Sequence, residues 1–306
     1  WTVRADRALQ CMIDIEPSWT PPPDREPQQA MLALSDGYQT PVTVHEPPAA
    51  VPRRAPVVYL HGIQSHPGWF YRSAVALADA GHAVYQPARR GSGTNQVDRG
   101  HAESPEQLLD DLARAIDLAQ AATGCDTCHL LGVSWGGKLA AAFAAMRPGE
   151  QQRLASLTLV APGICPQVDV AGRTKLAIAM SLLCCSRRRF EIPLSDPERF
   201  TDNEAMRDYL RDDPARLHRA TARFLYVSRC LDRSLRRAQP GAISTPTSLL
   251  LAGRDRIIDN AATRSLCHRV CGKAWAVHEF DAAHTIEFEA DLAGFLEVLR
   301  DATDSA

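Results

Sequence analysis

Leu130-Leu131-Gly132-Val133-Ser134-Trp135-Gly136-Gly137-Lys138-Leu139-Ala140 is the stretch that decides the fold. His129 to Val133 reads as a strand, and Lys138 to Met146 reads as a helix. Between them, Gly132-Val133-Ser134-Trp135-Gly136 fits G-x-S-x-G, a sharp strand-to-helix turn that lifts a serine hydroxyl to the strand's carboxyl edge. By itself the pattern is weak, with about 0.06 chance matches expected in a chain of this length. Its placement between a strand and a helix is what gives it weight.

Working outward, strands and helices alternate on both sides. Val57 to Leu60 is a short β-rich run, and Trp69 to Ala80 has helical spacing ended by Gly81. His82 to Gln86 is a further strand. Ser104-Pro105-Glu106-Gln107 opens a helix, with Ser104 as N-cap, and Gly124 closes it. That helix carries Leu108, Leu109, Leu112, Ile116 and Ala119 on one face. Leu154 to Val160, Thr247 to Leu251 and Ala274 to Phe280 are strands. Asn260 to Val270 and Phe288 to Leu299 are helices. Such alternation implies an α/β architecture with a mostly parallel sheet and right-handed crossovers. Met31 to Leu34 and Pro41 to His45, flanking Ser35-Asp36-Gly37, read as a hairpin at the sheet edge.

The expected organisation is an extended arm over 1–30, an α/β core over 31–162 and 242–306, and a helical cap inserted at 163–241. The insertion shows no clear strand. Its run Leu176 to Leu183, followed by Arg187-Arg188-Arg189, has two readings. The first is a helix packing its own core, since short apolar runs are usually buried. The second is a lid whose apolar face guides an acyl chain, with the arginines meeting a lipid or acidic surface.

Composition bounds the function. The 306 residues are 45% hydrophobic and 23% charged, with a net charge of −2, ordinary globular usage. No basic stripe marks a nucleic-acid partner. No apolar run reaches the ~20 residues that span a bilayer, so no stable membrane insertion is expected. The chain begins at Trp1 with no visible signal peptide. Nine cysteines in a chain long enough to bury its own core read as reduced thiols in a cytoplasmic protein. Cys184 and Cys185, in an apolar run, are expected to be buried.

A serine hydroxyl needs a base within hydrogen-bond reach, and the base should come late in the chain, with an acid between the two. His284 lies just past the last strand and Asp255 just past Leu249-Leu250-Leu251. Both therefore belong to the edge that carries Ser134, the edge where open α/β sheets bind ligands. Asp259 is the competing acid, but its position suits a cap for the following helix. His61-Gly62 follows the strand Val57 to Leu60, where one oxyanion donor should arise. The donors are assigned to the Ile63 and Trp135 N–H groups. His61, Gly62, Gln64, Trp69 and Met180 are the candidates for substrate contact.

These residues resemble the α/β-hydrolase superfamily, and more closely its monoacylglycerol lipase, lysophospholipase and serine aminopeptidase branch. His61-Gly62-Ile63-Gln64-Ser65-His66 is similar to the H-G-x-x-x-H loop of that branch, with Trp69, Phe70 and Tyr71 following. Arg90-Gly91-Ser92-Gly93 resembles its R-G-x-G turn and Arg99-Gly100-His101 its R-G-H. Asp255 to Asp259 and His284-Thr285 resemble its acid and base segments. Ala88 stands where an Asp is usual, and Asn95 where Ser is common. The resemblance implies an eight-stranded, mostly parallel sheet, acyl-enzyme chemistry and no cofactor.

Two cysteine patterns compete. Cys125-Asp126-Thr127-Cys128-His129 matches C-x-x-C-H, a haem attachment pattern, but haem there would disrupt the central sheet. Cys267 and Cys271 stand four apart with no pair to complete a zinc site, so no metal is expected. The function expected from the residues is cleavage of a small-molecule carboxylic ester with a medium or long, lipid-like acyl group. An amidase or aminopeptidase of the same fold is the alternative. A non-catalytic binding protein on the same scaffold is a second one. The sequence carries no signal for oligomeric state.

Overall fold

The computed structural model describes residues 26–272 and 274–304. The arm expected over 1–30 lies outside the described residues up to 25, and a strand already begins at Gln28.

Ten strands occur among the described residues: β1 (Gln28–Ala33), β2 (Gln39–His45), β3 (Arg54–Leu60), β4 (His82–Pro87), β5 (Cys128–Val133), β6 (Leu154–Val160), β7 (Arg189–Glu191), β8 (Arg219–Thr221), β9 (Thr247–Ala252) and β10 (Trp275–Phe280). Eight of them form one sheet in the order β1-β2-β4-β3-β5-β6-β9-β10. β2 pairs antiparallel with β1 and with β4. All other neighbours run parallel. Val57, Val58, Leu130, Leu157, Leu159, Leu249 and Leu250 are wholly enclosed. This is why the central strands read as continuous apolar runs rather than alternating ones: a parallel sheet is covered on both faces.

The covering helices are α1 (Tyr71–Asp79), α2 (Pro105–Thr123), α3 (Trp135–Met146), α4 (Gly172–Cys184), α5 (Glu204–Asp212), α6 (Ala222–Arg237), α7 (Asn260–Val270) and α8 (Ala293–Asp304). α1 packs on α8, and α2 on α3. The termini of α2 are set locally. Ser104 Oγ accepts from Gln107 N–H at 3.1 Å, Gln107 Oε1 accepts from Glu103 N–H at 2.9 Å, and Gly124 closes the helix at φ 70°. Asp259 caps α7 by accepting from Ala262 N–H at 2.9 Å. The last helix starts later than its apolar spacing suggests. Residues 286–288 form a short 3₁₀ turn, and Asp291 instead accepts from Ala293 N–H at 3.0 Å.

Between β6 and β9 the chain carries α4, β7, α5, β8 and α6. The strands β7 and β8 pair antiparallel over three residues each, a pairing too short to show any alternation in sequence. A second difference concerns α4. Of its residues only Ser181 is buried, while Leu176, Met180 and Leu183 are 66, 57 and 84% exposed. Cys184 and Cys185 are exposed as well, so the expectation of buried thiols there fails. The helix rests against α6 and its outward side has no covering element among the described residues, a relation that apolar content alone does not reveal.

Candidate active site

Because β5, β9 and β10 are parallel, the loops that follow them emerge at one edge of the sheet. Those loops carry Ser134, Asp255 and His284. Ser134 sits between β5 and α3 at φ 53°, ψ −119°, a conformation that non-glycine residues rarely adopt. It is held there by three backbone bonds. Its N–H donates to Val160 O at 2.9 Å, and its carbonyl accepts from Lys138 N–H at 3.1 Å and Gly163 N–H at 2.7 Å. The flanking glycines are demanded by close approach: a Cβ on Gly132 would lie 2.5 Å from Gly136 O, and one on Gly136 would lie 2.4 Å from Leu60 O.

The three side chains form a continuous hydrogen-bond chain. His284 Nε2 is 2.9 Å from Ser134 Oγ, and His284 Nδ1 is 2.7 Å from Asp255 Oδ2. The Asp255 carboxylate has no exposed surface and His284 only 2%. The other carboxylate oxygen of Asp255 accepts from Ile257 N–H at 2.7 Å and Ile258 N–H at 2.9 Å. An ionised carboxylate can only accept, so Nδ1 carries the proton and Nε2 is left to accept from the serine hydroxyl. The histidine loop is fixed on both sides. Ala283 N–H donates to Glu289 Oε1 at 2.9 Å, and Thr285 N–H to Phe200 O at 2.8 Å. The Phe200 ring lies edge-on to His284 at 6.2 Å between centroids.

The loop after β3 meets Ser134 from the other side. A Cβ on Gly62 would lie 3.3 Å from Ser134 Cβ. His61 turns away from that space into backbone. Its Nδ1 donates to Gly62 O at 2.9 Å, and its Nε2 accepts from Arg89 N–H at 3.0 Å. Burial, and then the Arg89 charge, hold its pKa well below the ordinary histidine value, consistent with this neutral tautomer. The Gly62 carbonyl belongs to the same peptide group as the Ile63 N–H, and the two point in opposite directions across a trans peptide. Fixing the carbonyl on His61 therefore aims the Ile63 N–H the other way. Trp135 is the first residue of α3, so its N–H has no partner within the helix. A Cβ on Gly163 would stand 3.3 Å from it.

The remaining candidates for substrate contact are placed elsewhere. Trp69 is 1% exposed, its indole N–H donating to Asp213 at 2.8 Å and its ring lying between Phe200 and Phe288. Gln64 is buried and accepts from Arg216 Nε at 3.2 Å and Nη2 at 2.9 Å. Met180 points outward on α4. A cavity of about 40 Å³ lies beneath the elbow among Leu60, His61, Arg89, Trp135, Gly136 and Leu139. Ser134 and His284 are not among its walls, so it lies behind the loop after β3 rather than in front of the Ser134 hydroxyl.

Sequence reasoning missed a polar network beneath the elbow. Lys138 is buried and pairs with Asp232 of α6 at 2.7 Å; Ser228 Oγ accepts from Trp135 Nε1 at 2.9 Å and Lys138 Nζ at 3.2 Å. The one available signal was a lysine opening the otherwise small and apolar run Leu139 to Ala145. Among the described residues no group of three or more His, Cys, Asp or Glu side chains is arranged to hold a metal ion. Nor is any described helix long and apolar enough to cross a membrane.

An eight-stranded, mostly parallel sheet with a strained serine between β5 and α3 defines an α/β-hydrolase fold. Residues 51–291 match the family model described as serine aminopeptidase S33, and the chain belongs to that family. Among solved structures, it is similar to the monoacylglycerol lipase of Paleococcus ferrophilus, at 20% identity and a TM-score of 0.72, covering 90% of this chain and 99% of that one. A soluble variant of monoglyceride lipase from Saccharomyces cerevisiae, in complex with a substrate analogue, matches at 17% identity and a TM-score of 0.79, covering 91% and 94%. A thermophilic esterase from Thermogutta terrifontis matches at 20% identity and a TM-score of 0.62, covering 90% and 97%. No curated protein matches the sequence significantly.

Proposed function

We propose that this protein is a serine hydrolase that cleaves carboxylic esters through an acyl-enzyme on Ser134. The observation that carries the reading is the hydrogen-bond chain from Ser134 through His284 to Asp255. His284 Nε2 takes the proton as Ser134 Oγ attacks the ester carbonyl, and Asp255 stabilises the imidazolium. The Ile63 and Trp135 N–H groups hold the oxyanion. The alcohol then leaves with the proton from His284. Water, activated by the same histidine, releases the acid and frees the serine.

The segment 163–241 acts as a cap over this edge, and Phe200 contributes a ring beside the base. A medium or long acyl group is the favoured substrate part, in keeping with the lipases and esterase that share the fold. His61 and Gly62 shape the oxyanion loop rather than grip the substrate. The eight free cysteines among the described residues suit a reducing, cytoplasmic setting.

Treatment with a fluorophosphonate, followed by mass spectrometry, should place the adduct on Ser134 and lose it in Ser134→Ala. A folded sample that is not labelled, or labelling that survives the substitution, would sink the reading. Nitrophenyl esters of increasing acyl length should turn over, while aminoacyl anilides should not. Turnover of the anilides alone would make the protein an amidase.

A further inference from the structure

We infer that Arg89 is a positioning residue for the oxyanion site, supplying it with a positive charge that no carboxylate among the described residues neutralises. The inference rests on the Ser134 reading and adds to it a group that does not touch the substrate. Arg89 follows β4, and its backbone N–H is the one that fixes His61. Its Nη2 donates to Ile63 O at 2.9 Å. Its guanidinium carbon stands 4.8 Å from the Trp135 ring and 4.8 Å from the Phe224 ring of α6. A single side chain thus grips both residues whose N–H groups face the oxyanion.

Among the described residues the charge itself has no counter-ion. Nε and Nη1 are sealed from solvent and have no acceptor among the described residues, although the residue as a whole keeps some exposure. Arg90, next in the chain, shows the ordinary arrangement: two 2.7 Å bonds to Asp111 and an ion pair with Asp36 at 2.9 Å. Lys138 has Asp232. Among the described residues the Arg89 guanidinium has two aromatic faces and a carbonyl, and the first charge that acts on it is another cation, Arg99. Burial pushes its pKa down to about 9. Leaving a buried cation without a counter-ion works against stability, and groups kept in that condition concentrate at functional sites.

Negative charge appears beside this group only while the tetrahedral intermediate lasts. The resting site therefore holds an unmatched cation, and the transition state supplies the missing anion. Such a differential effect raises kcat rather than substrate affinity. It also separates this role from a structural one, because removing the charge should weaken catalysis without weakening the fold.

The test compares Arg89→Met and Arg89→Lys with wild type on a neutral nitrophenyl ester, with fluorophosphonate labelling rate and urea unfolding measured on each. Losing an oxyanion donor outright costs ~10²–10³ in rate, and misaiming two without deleting either should cost at least about tenfold. Arg89→Met should therefore lose tenfold or more in kcat and labelling rate. Its KM should stay within threefold and its unfolding midpoint should be unchanged or higher. Arg89→Lys should recover part of the rate. An Arg89→Met rate within threefold of wild type, a loss carried by KM, a midpoint that falls with activity, or a lysine no better than methionine would each overturn the inference. A wild type that is never labelled would fail at the Ser134 reading itself, which is a different result.

Discussion

Glu287 lies three residues after His284, buried beside Tyr59, Ser73 and the start of α1, and it makes stability depend on pH. Its Oε1 accepts from Ser73 N–H at 2.9 Å, while Oε2 is sealed from solvent with no well-formed hydrogen bond among the described residues. Burial raises its pKa to about 7, against 4.5 for an unburied glutamate, with the Ser73 bonds and Arg72 only partly offsetting the effect. Below pH 4.5 the carboxyl is protonated in both states and contributes no slope. From 4.5 to about 7 the unfolded chain has released the proton while the folded one keeps it, so stability falls as pH rises. The gap, at 1.36 kcal/mol per pH unit, amounts to about 3 kcal/mol, all of it lost above pH 7. Urea unfolding of wild type and Glu287→Gln at pH 4.5 and pH 8, extrapolated linearly, reads this directly. The variant should gain about 3 kcal/mol on wild type between the two conditions, whatever its own stability. An equal gap between the two proteins at both pH values would refute the reasoning, since it would mean that Glu287 ionises alike in both states.

Two further outcomes follow from the packing around the elbow. Asp232→Ala strands the Lys138 ammonium, whose side chain is 5% exposed, and should destabilise by about 3–5 kcal/mol. Lys138→Met with Asp232→Leu should return close to wild type, and a double variant as unstable as the single one would show that the pair is not what α6 rests on. Gly136→Ala would press a methyl against Leu60 O and His61 O, costing about 1–3 kcal/mol of overpacking and at least a tenfold slower fluorophosphonate reaction. Gly149→Ala, which meets nothing within 4 Å, should leave that reaction unchanged.

Much of the molecule is legible along the chain because its signals are local. A serine between close glycines, with a strand before and a helix after, suffices for the elbow. Ser104, Gly124 and Asp259 announce their helix ends because a cap acts on N–H or C=O groups only a few residues away. The order serine, acid, base puts Ser134, Asp255 and His284 after β5, β9 and β10, and the parallel run β5-β6-β9-β10 brings those ends to one edge of the sheet.

What only the tertiary structure decided depends on residues far apart in sequence. Trp69 looks like a pocket aromatic until Asp213 is found receiving its N–H. Leu176, Met180, Leu183 and the Cys184–Cys185 pair look buried until the side of α4 opposite α6 proves exposed, with no described element over it. Lys138 has its counter-ion on α6 and Arg89 has none among the described residues, yet nothing in the order of the chain distinguishes the two cations. Burial and charge compensation are properties of the assembled neighbourhood. The sequence by itself therefore determined the fold and proposed a nucleophile with its partners, while the tertiary structure decided which charges beside them are paired.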